Sequence, residues 1–302
     1  MRIFITGATG FLGYHLACIC LKKGHQVACL KRKNSHSLFD LETEQKIKWI
    51  TLGQPNWKED LRLFEPEVLI HAAWGGVSAE GRNNASIQHA NVLMTQEILQ
   101  LAPYRQVIML GSQDEYGRID SCIDESYPLG ALSEYAKAKI SCCQILEEYG
   151  RKSGAEWQWI RIFSIYGEKQ KTRWLIPSVI SKCINREKTM QTTAGEQIYS
   201  YLYSTDFAEA VESIVGTTGK SGIYNLSSAR TIALKDLFSL IRNLTGANID
   251  FQASLPYREN QSMKILGNSD KFVHTFGPFE HTSLEDGLEK TIFDMKHAEK
   301  QL

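Results

Sequence analysis

The first thirteen residues constrain this chain more than any other stretch. Arg2-Ile3-Phe4-Ile5 is a short apolar run, and Thr6-Gly7-Ala8-Thr9-Gly10-Phe11-Leu12-Gly13 follows it directly. Leu12, Leu16, Ile19 and Leu21 then recur at a spacing that puts most of them on one helix face. The order is strand, glycine turn, helix. Such a turn aims backbone N–H groups and the positive end of a helix dipole at whatever lies over it, which suits a phosphate. The spacing is G-x-x-G-x-x-G rather than the commoner G-x-G-x-x-G of dinucleotide sites. From these residues alone two readings stand: a phosphate cradle, and a glycine-rich turn that binds nothing.

The rest of the chain fits a doubly wound α/β fold. Short β-rich runs at Gln26–Leu30, Ile47–Leu52, Val68–His71, Gln106–Leu110 and Trp157–Ile162 alternate with helical patterns starting near Phe11, Ile87 and Ser133. That alternation predicts a parallel sheet covered by helices, with ligands bound beyond the C-terminal strand ends. We expect a dinucleotide-binding Rossmann domain over residues 1–165 and a smaller α/β substrate-binding domain over 166–302, with part of 200–228 returning to the Rossmann sheet. In the second part, helices are expected over 172–185 and 234–244, and strands over 198–203 and 223–226. Asp206 is expected to cap a helix over 207–215, Ser283 to open the last helix, and 256–267 to be loop-rich.

Composition removes several alternatives. Lys+Arg and Asp+Glu both number 34, so net charge offers nothing to nucleic acid or an anionic membrane surface. No apolar run approaches the roughly 20 residues that span a bilayer. Seven cysteines show no C-x-x-C spacing, so neither disulfides nor a metal site is expected and a reducing cytoplasm is.

Three further clusters carry chemistry. The second strand runs into Lys31-Arg32-Lys33-Asn34-Ser35, with no acid before Asp40. An acidic residue there ordinarily bonds an adenosine ribose, whereas cations and hydroxyls match a 2′-phosphate, so NADP(H) is expected over NAD(H). A solvated basic loop is the plainer alternative. Tyr135 and Lys139 stand four residues apart in a helical pattern and share a face, where an ammonium would lower the phenol's pKa towards general acid–base use. Ser112 directly follows the strand Gln106–Leu110, at the edge where ligands bind, and a serine there can bond the substrate oxygen whose proton Tyr135 handles.

Together these motifs resemble the extended short-chain dehydrogenase/reductases, in particular the nucleotide-sugar epimerase, dehydratase and reductase group. Thr6–Gly13 is similar to that group's T-G-x-x-G-x-x-G turn, His71-Ala72-Ala73 to the end of its fourth strand, and Asn91-Val92 to a pair in the next helix. Ser112, Tyr135 and Lys139 fall on its catalytic serine, tyrosine and lysine, and residues 161–167 resemble its R-x-x-N-x-Y-G segment. The stretches 223–226 and 282–288 resemble its late strand and final helix. The resemblance implies a cofactor against Gly7, Thr9, Gly10, Phe11, Leu12, Gly13, Lys31, Arg32 and Ala72, with Tyr135 and Lys139 at the nicotinamide end. It implies a sugar-nucleotide substrate, hydride exchange at C4 with Tyr135 moving the C4 oxygen's proton, and a homodimer.

Departures from the group narrow the reaction. Its dehydratases carry Thr-Asp-Glu where this chain has Ser112-Gln113-Asp114, and an amide has no proton to give a departing hydroxyl. A shifted alignment would bring in Asp114 and Glu115. The group's 3,5-epimerases have a cysteine where Asp114 stands. Ser164 replaces the usual asparagine, and Arg258 is the candidate clamp for a diphosphate. Trp74, Gln113, Asp114, Ser164 and Arg258 are the expected substrate contacts, with Arg82 near the sugar pocket. The expected function is an NADP(H)-dependent reductase of a nucleotide-linked 4-keto-6-deoxy sugar. The alternatives are an NAD-retaining 4-epimerase, or less readily a dehydratase, and a non-catalytic cofactor-binding protein.

Overall fold

The computed structural model describes residues 1–259 and 261–298. Its first part runs β1 (Arg2–Thr6), α1 (Phe11–Lys22), β2 (Gln26–Arg32), α2 (Leu41–Gln45), β3 (Ile47–Leu52), α3 (Trp57–Phe64), β4 (Val68–His71), α4 (Ala79–Arg82), α5 (Ala85–Leu99), β5 (Gln106–Ser112), β6 (Cys122–Ile123), α6 (Glu134–Ser153) and β7 (Glu156–Ile162). There follow β8 (Ser164–Tyr166), α7 (Leu175–Ile184), β9 (Thr189–Thr192), β10 (Ile198–Tyr203), α8 (Ser204–Ile214), β11 (Gly222–Leu226), β12 (Thr231–Ala233), α9 (Leu234–Thr245), β13 (Asp250–Ala253), β14 (Lys264–Gly267), α10 (Asp270–Phe276) and α11 (Leu284–Ala298).

Seven strands form one parallel sheet in the order β11-β7-β5-β4-β1-β2-β3. Its apolar runs are buried on both faces, and the two-residue period of a strand sends alternate side chains to opposite sides. Ile3, Ile5, Val68, Ile70, Ile108 and Leu110 point to the side of α1 and α8, in one core with Leu16, Ala17, Phe207 and Val211. Phe4, Leu69, Val107, Met109 and Trp159 point the other way, in a core shared with Leu61, Ile98, Cys142 and Leu146 of α3, α5 and α6. The strand order reverses between β1 and β4, where Thr6 pairs with His71, and the turns after both strands therefore open side by side. The second part has its own core of α7, α9, α11 and β10 residues, including Val179, Ile180, Leu237, Ile241 and Leu288. β10 lies in a small sheet with β8, β12 and β14.

Several elements differ from expectation. Strands β2 and β5 each run two residues further than predicted, so Lys31, Arg32 and Ser112 are strand residues paired with Thr51, Leu52 and Ile162. Helix α8 begins at Ser204, so Asp206 lies in its first turn rather than before it. The carboxylate instead accepts bonds from the backbone N–H groups of His281 and Thr282 and from the Thr282 hydroxyl, tying in the approach to α11. Ser283 does open α11, its Oγ accepting from Asp286 N–H at 3.1 Å. The stretch 256–267 contains β14, parallel to β10 and β6, whose four residues are too few to show a strand period.

Candidate active site

The glycine turn is shaped for close approach. Gly7 has φ +80° and a Cβ there would meet Ala73 N at 2.7 Å. A Cβ on Gly13 would sit 2.2 Å from the Gly7 carbonyl oxygen, so only glycine lets α1 start this close to the end of β1. Gly10 is the N-cap of α1, and no side chain caps the helix, which leaves the first-turn N–H groups of Phe11, Leu12 and Gly13 to face a ligand. Thr9 lies in the same turn, half-buried. The adjoining Ala72-Ala73 turn is fixed from below. Ala73 N–H donates to Thr6 Oγ1, and Thr6 Oγ1 lies 2.7 Å from His71 Nδ1. The other ring nitrogen meets Thr95 Oγ1 at 3.1 Å, and Thr95 donates its own proton to Asn91 O. The pattern sets a neutral imidazole with its proton on Nε2, and burial pulls the His71 pKa down to about 3, with Lys139 adding to the effect.

Ser112 ends β5, and Tyr135 and Lys139 project from the first two turns of α6, which Ser133 caps through Ala136 N–H. All three side chains are buried. The Lys139 ammonium donates to Leu110 O at 2.7 Å and lies 3.6 Å from the centre of the Trp74 ring. Burial lowers its pKa to about 8. The expected effect on Tyr135 is reversed. Burial, reinforced by Asp114, pushes the phenol's pKa up, with the Ser112 hydroxyl and Arg82 pulling against it. The shared helix face is present, but the ammonium is spent on a carbonyl and an indole face, so it does not dominate the phenol.

The turn after β4 walls this cleft. Trp74 meets Tyr135 edge-to-face at a centroid distance of 5.9 Å and donates from Nε1 to Gln88. Gln88 and Asn91 of α5 bond the backbone at Gly75, Gly76 and Gly81, fixing both the turn and α4. Arg82, at the end of α4, pairs with Asp114, and its guanidinium carbon lies 4.8 Å from the Tyr135 ring centre. Gln113 and Asp114 occupy a single 3₁₀ turn directly after Ser112. The Gln113 Oε1 atom is buried with no hydrogen-bond partner among the described residues, and an acceptor of that kind is costly unless a ligand satisfies it.

Glu115 is a scaffold residue. Its carboxylate accepts from Ser112 N–H at 2.8 Å, from Trp159 Nε1 and from Arg161 Nε at 2.8 Å, and it is fully buried. Every partner is a donor, so although burial pushes its pKa up, Arg161 and these bonds hold the anion. Arg161 also donates to Tyr116 OH, which bonds Asn225 on β11. The Ser112 end of β5 is thus tied to β7 and β11 as well. This removes Glu115 from the acids that a shifted alignment would bring in.

The remaining predicted residues lie further out. Lys31 sits with its ammonium 4.7 Å from the Trp49 ring centre, and Arg32 is exposed at the end of β2. Asp40, the first acid after them, caps α2 through Thr43 N–H. Ser164 begins β8, opposite Tyr201. Arg258 is on an exposed loop close enough to Tyr199 for its charge to pull that phenol's pKa down against burial. Asn260 of the same segment lies outside the described residues. Sequence reasoning missed Gln88 and the scaffold role of Glu115 and Arg161. No local spacing joins Glu115 to Arg161, which stand 46 positions apart.

Comparison with known proteins agrees with the fold. The model of the NAD dependent epimerase/dehydratase family matches residues 3–227. CDP-abequose synthase of Salmonella muenchen is 25% identical, covering 96% of this chain and 97% of that protein. A putative UDP-glucose 4-epimerase of Methanocaldococcus jannaschii is 23% identical over 98% of each chain. The crystal structure of a UDP-glucose 4-epimerase from Thermus thermophilus, complexed with NAD, superimposes with a TM-score of 0.84 at 20% identity over 99% of this chain and 100% of that one. With its glycine cradle, parallel sheet and edge-clustered serine, tyrosine and lysine, the chain belongs to the NAD-dependent epimerase/dehydratase family of nucleotide-sugar enzymes.

Proposed function

We propose that the protein is an NADP(H)-dependent reductase of a nucleotide-linked 4-keto-6-deoxy sugar. Residues 1–165 would hold the cofactor and 166–302 most of the substrate. The observation that carries this reading is the buried set of Ser112, Tyr135 and Lys139 beside a carboxamide, Gln113, where dehydration needs an acid. Asp114 is already committed to Arg82. The glycine turn fits a dinucleotide, since no side chain caps the N-terminus of α1 and glycine at positions 7 and 13 lets the turn pack tightly between β1, the Ala72-Ala73 turn and α1. When bound, the nicotinamide supplies the hydride. Gly7, Thr9, Gly10, Phe11, Leu12, Gly13 and Ala72 would cradle the diphosphate and adjoining groups. Lys31 and Arg32, with no acid before Asp40, favour a 2′-phosphate over a bare ribose.

The protein's own part is positioning and proton transfer. Ser112 Oγ accepts from Asp114 N–H at 3.2 Å, which leaves its own proton to be donated to the sugar's C4 oxygen. Tyr135 then delivers a proton to that oxygen as it becomes a hydroxyl. The Tyr135 phenol, its pKa raised by burial and Asp114, carries its proton at neutral pH, and the Ser112 hydroxyl and Arg82 favour the phenolate left behind when that proton is given up. Lys139 is a buried cation within reach of the same volume. Trp74, Gln113, Asp114 and Ser164 would line the sugar site, and Arg258 would meet the diphosphate. The test is NADPH absorbance in the presence of 4-keto-6-deoxy sugar nucleotides: stoichiometric oxidation is expected, and none across the panel would refute it.

A 4-epimerase is the second reading, favoured by the epimerases among the relatives and equally served by the same three residues. Its mark would be tightly retained NAD with no net NADPH consumption. We also propose a homodimer through α5 and α6, which pack together and leave Ile87 and Leu93 exposed on α5. A monomeric mass in solution would remove that proposal.

A further inference from the structure

We infer that Arg82 is a positioning residue for Tyr135, its guanidinium held over the phenol ring and balanced by Asp114, so that this pair governs the charge around the reacting hydroxyl alongside Lys139. The inference deepens the reading of Tyr135 as proton donor and rests on it.

Arg82 is built into place rather than loosely draped. Its Nε donates to Val77 O at 3.2 Å, and its helix is closed against the preceding turn, where a Cβ on Gly81 would meet the Gly76 Cα at 2.5 Å. The buried Gln88 amide bonds the carbonyls of both Gly76 and Gly81, so the two ends of that loop cannot separate without exposing it. Held this way, the guanidinium reaches Asp114 on the 3₁₀ turn and stacks 4.8 Å from the Tyr135 ring centre. Lys139 is the other cation near Tyr135. Its ammonium is 5.8 Å from the same ring centre and is directed to Leu110 O and the Trp74 face. The groups facing Tyr135 are therefore Arg82 from α4, Asp114, Glu115 and Ser112 from the end of β5 and the turn after it, and Lys139 from α6. Glu115 is already neutralised by Arg161.

The balance of these charges has a direction. Asp114 opposes the phenolate and Arg82 favours it, and both act on the phenol more directly than Lys139 does. A substrate group that draws Asp114 away, such as a sugar hydroxyl bonding its carboxylate, would leave Arg82 acting on Tyr135 with less opposition. A substrate that leaves the pair closed would meet a phenol that keeps its proton more firmly. The pair thereby couples what occupies the Gln113–Asp114 side of the cleft to the readiness of Tyr135 for proton exchange.

The experiment is a titration of residue 135 in the whole chain without substrate, with Tyr135 replaced by a ring-fluorinated tyrosine whose more acidic phenol titrates where the protein stays folded, followed by phenolate absorbance and taken as the difference between each protein and the same protein carrying Tyr135→Phe. Asp114→Asn is expected to bring the midpoint down by about one pH unit or more relative to wild type, because a neighbouring charge at this range is worth roughly one to three units. Adding Arg82→Gln to Asp114→Asn is expected to cancel that gain. Circular dichroism confirms that each variant is folded, and Asp114→Ser replaces Asp114→Asn if the latter is not. A midpoint unchanged by the Asp114 variant, or a gain that survives the loss of Arg82, overturns the inference. Failure of the underlying reading shows elsewhere: a Tyr135→Phe protein that still oxidises NADPH normally with a keto-sugar nucleotide would dismiss Tyr135 as proton donor while leaving the titration result standing.

Discussion

His71 makes the fold sensitive to mild acid. The ring is buried between Thr6 and Thr95, and its Nε2 carries the proton because the Thr95 hydroxyl already donates to Asn91 O, which leaves Nδ1 to accept from Thr6. Protonation would set two donors against each other in a buried site. With the folded pKa lowered to about 3 from an unfolded 6.5, the unfolded chain binds the proton first as pH falls. The stability contribution is therefore complete above about pH 6.5 and is lost progressively towards pH 3. At about pH 5 the loss relative to neutral pH is about 2 kcal/mol for this group alone. The perturbation is His71→Gln, which retains one donor and one acceptor but cannot titrate. Urea unfolding of both proteins at about pH 7.5 and about pH 5 isolates the effect. The variant starts less stable, yet should lose about 2 kcal/mol less between the two conditions. Equal losses in the two proteins, or a His71 ring proton that titrates near 6.5 by NMR in the folded state, would refute the reasoning.

Three further outcomes follow from the site. Tyr135→Phe should lower NADPH-dependent turnover by about 10²–10⁴-fold while cofactor affinity, measured by fluorescence, stays close to wild type, because it removes only the proposed proton donor. Glu115→Gln should cost about 3–5 kcal/mol in urea unfolding, since it strands the buried Arg161 charge; a loss near zero would mean that the pair is not essential to the scaffold. Arg32→Glu should weaken NADPH binding and leave NADH binding nearly unchanged or improved, and equal weakening of both would remove the 2′-phosphate assignment.

What the sequence disclosed was what it encodes locally. Residues 1–13 give the strand, turn and helix because the apolar run, the glycines and the helical repeat are contiguous. Tyr135 and Lys139 share a face because four residues make about one helical turn. Long-range pairings were hidden. Arg82 and Asp114 are 32 positions apart, and Glu115 and Arg161 are 46 apart, so no spacing rule joins them. The upward shift of Tyr135 is hidden from the sequence for the same reason. Helical spacing places Lys139 near the phenol, but only the tertiary structure shows the Leu110 carbonyl and Trp74 ring that claim its ammonium. Asp206 stands just before a helical repeat, where an acid is a common cap. Its real partners, His281 and Thr282, lie some 75 residues away.

The buried Glu115–Arg161 pair also has a consequence for how such a protein can diversify. Neither residue can be exchanged alone without leaving an uncompensated interior charge, so the floor beneath Ser112 can drift only by concerted replacement of both. Gln113 and Asp114 stand on that floor but face the cleft, where single substitutions disturb little of it. New substrate preferences would therefore accumulate first in those two positions, while the serine beneath them stays in register.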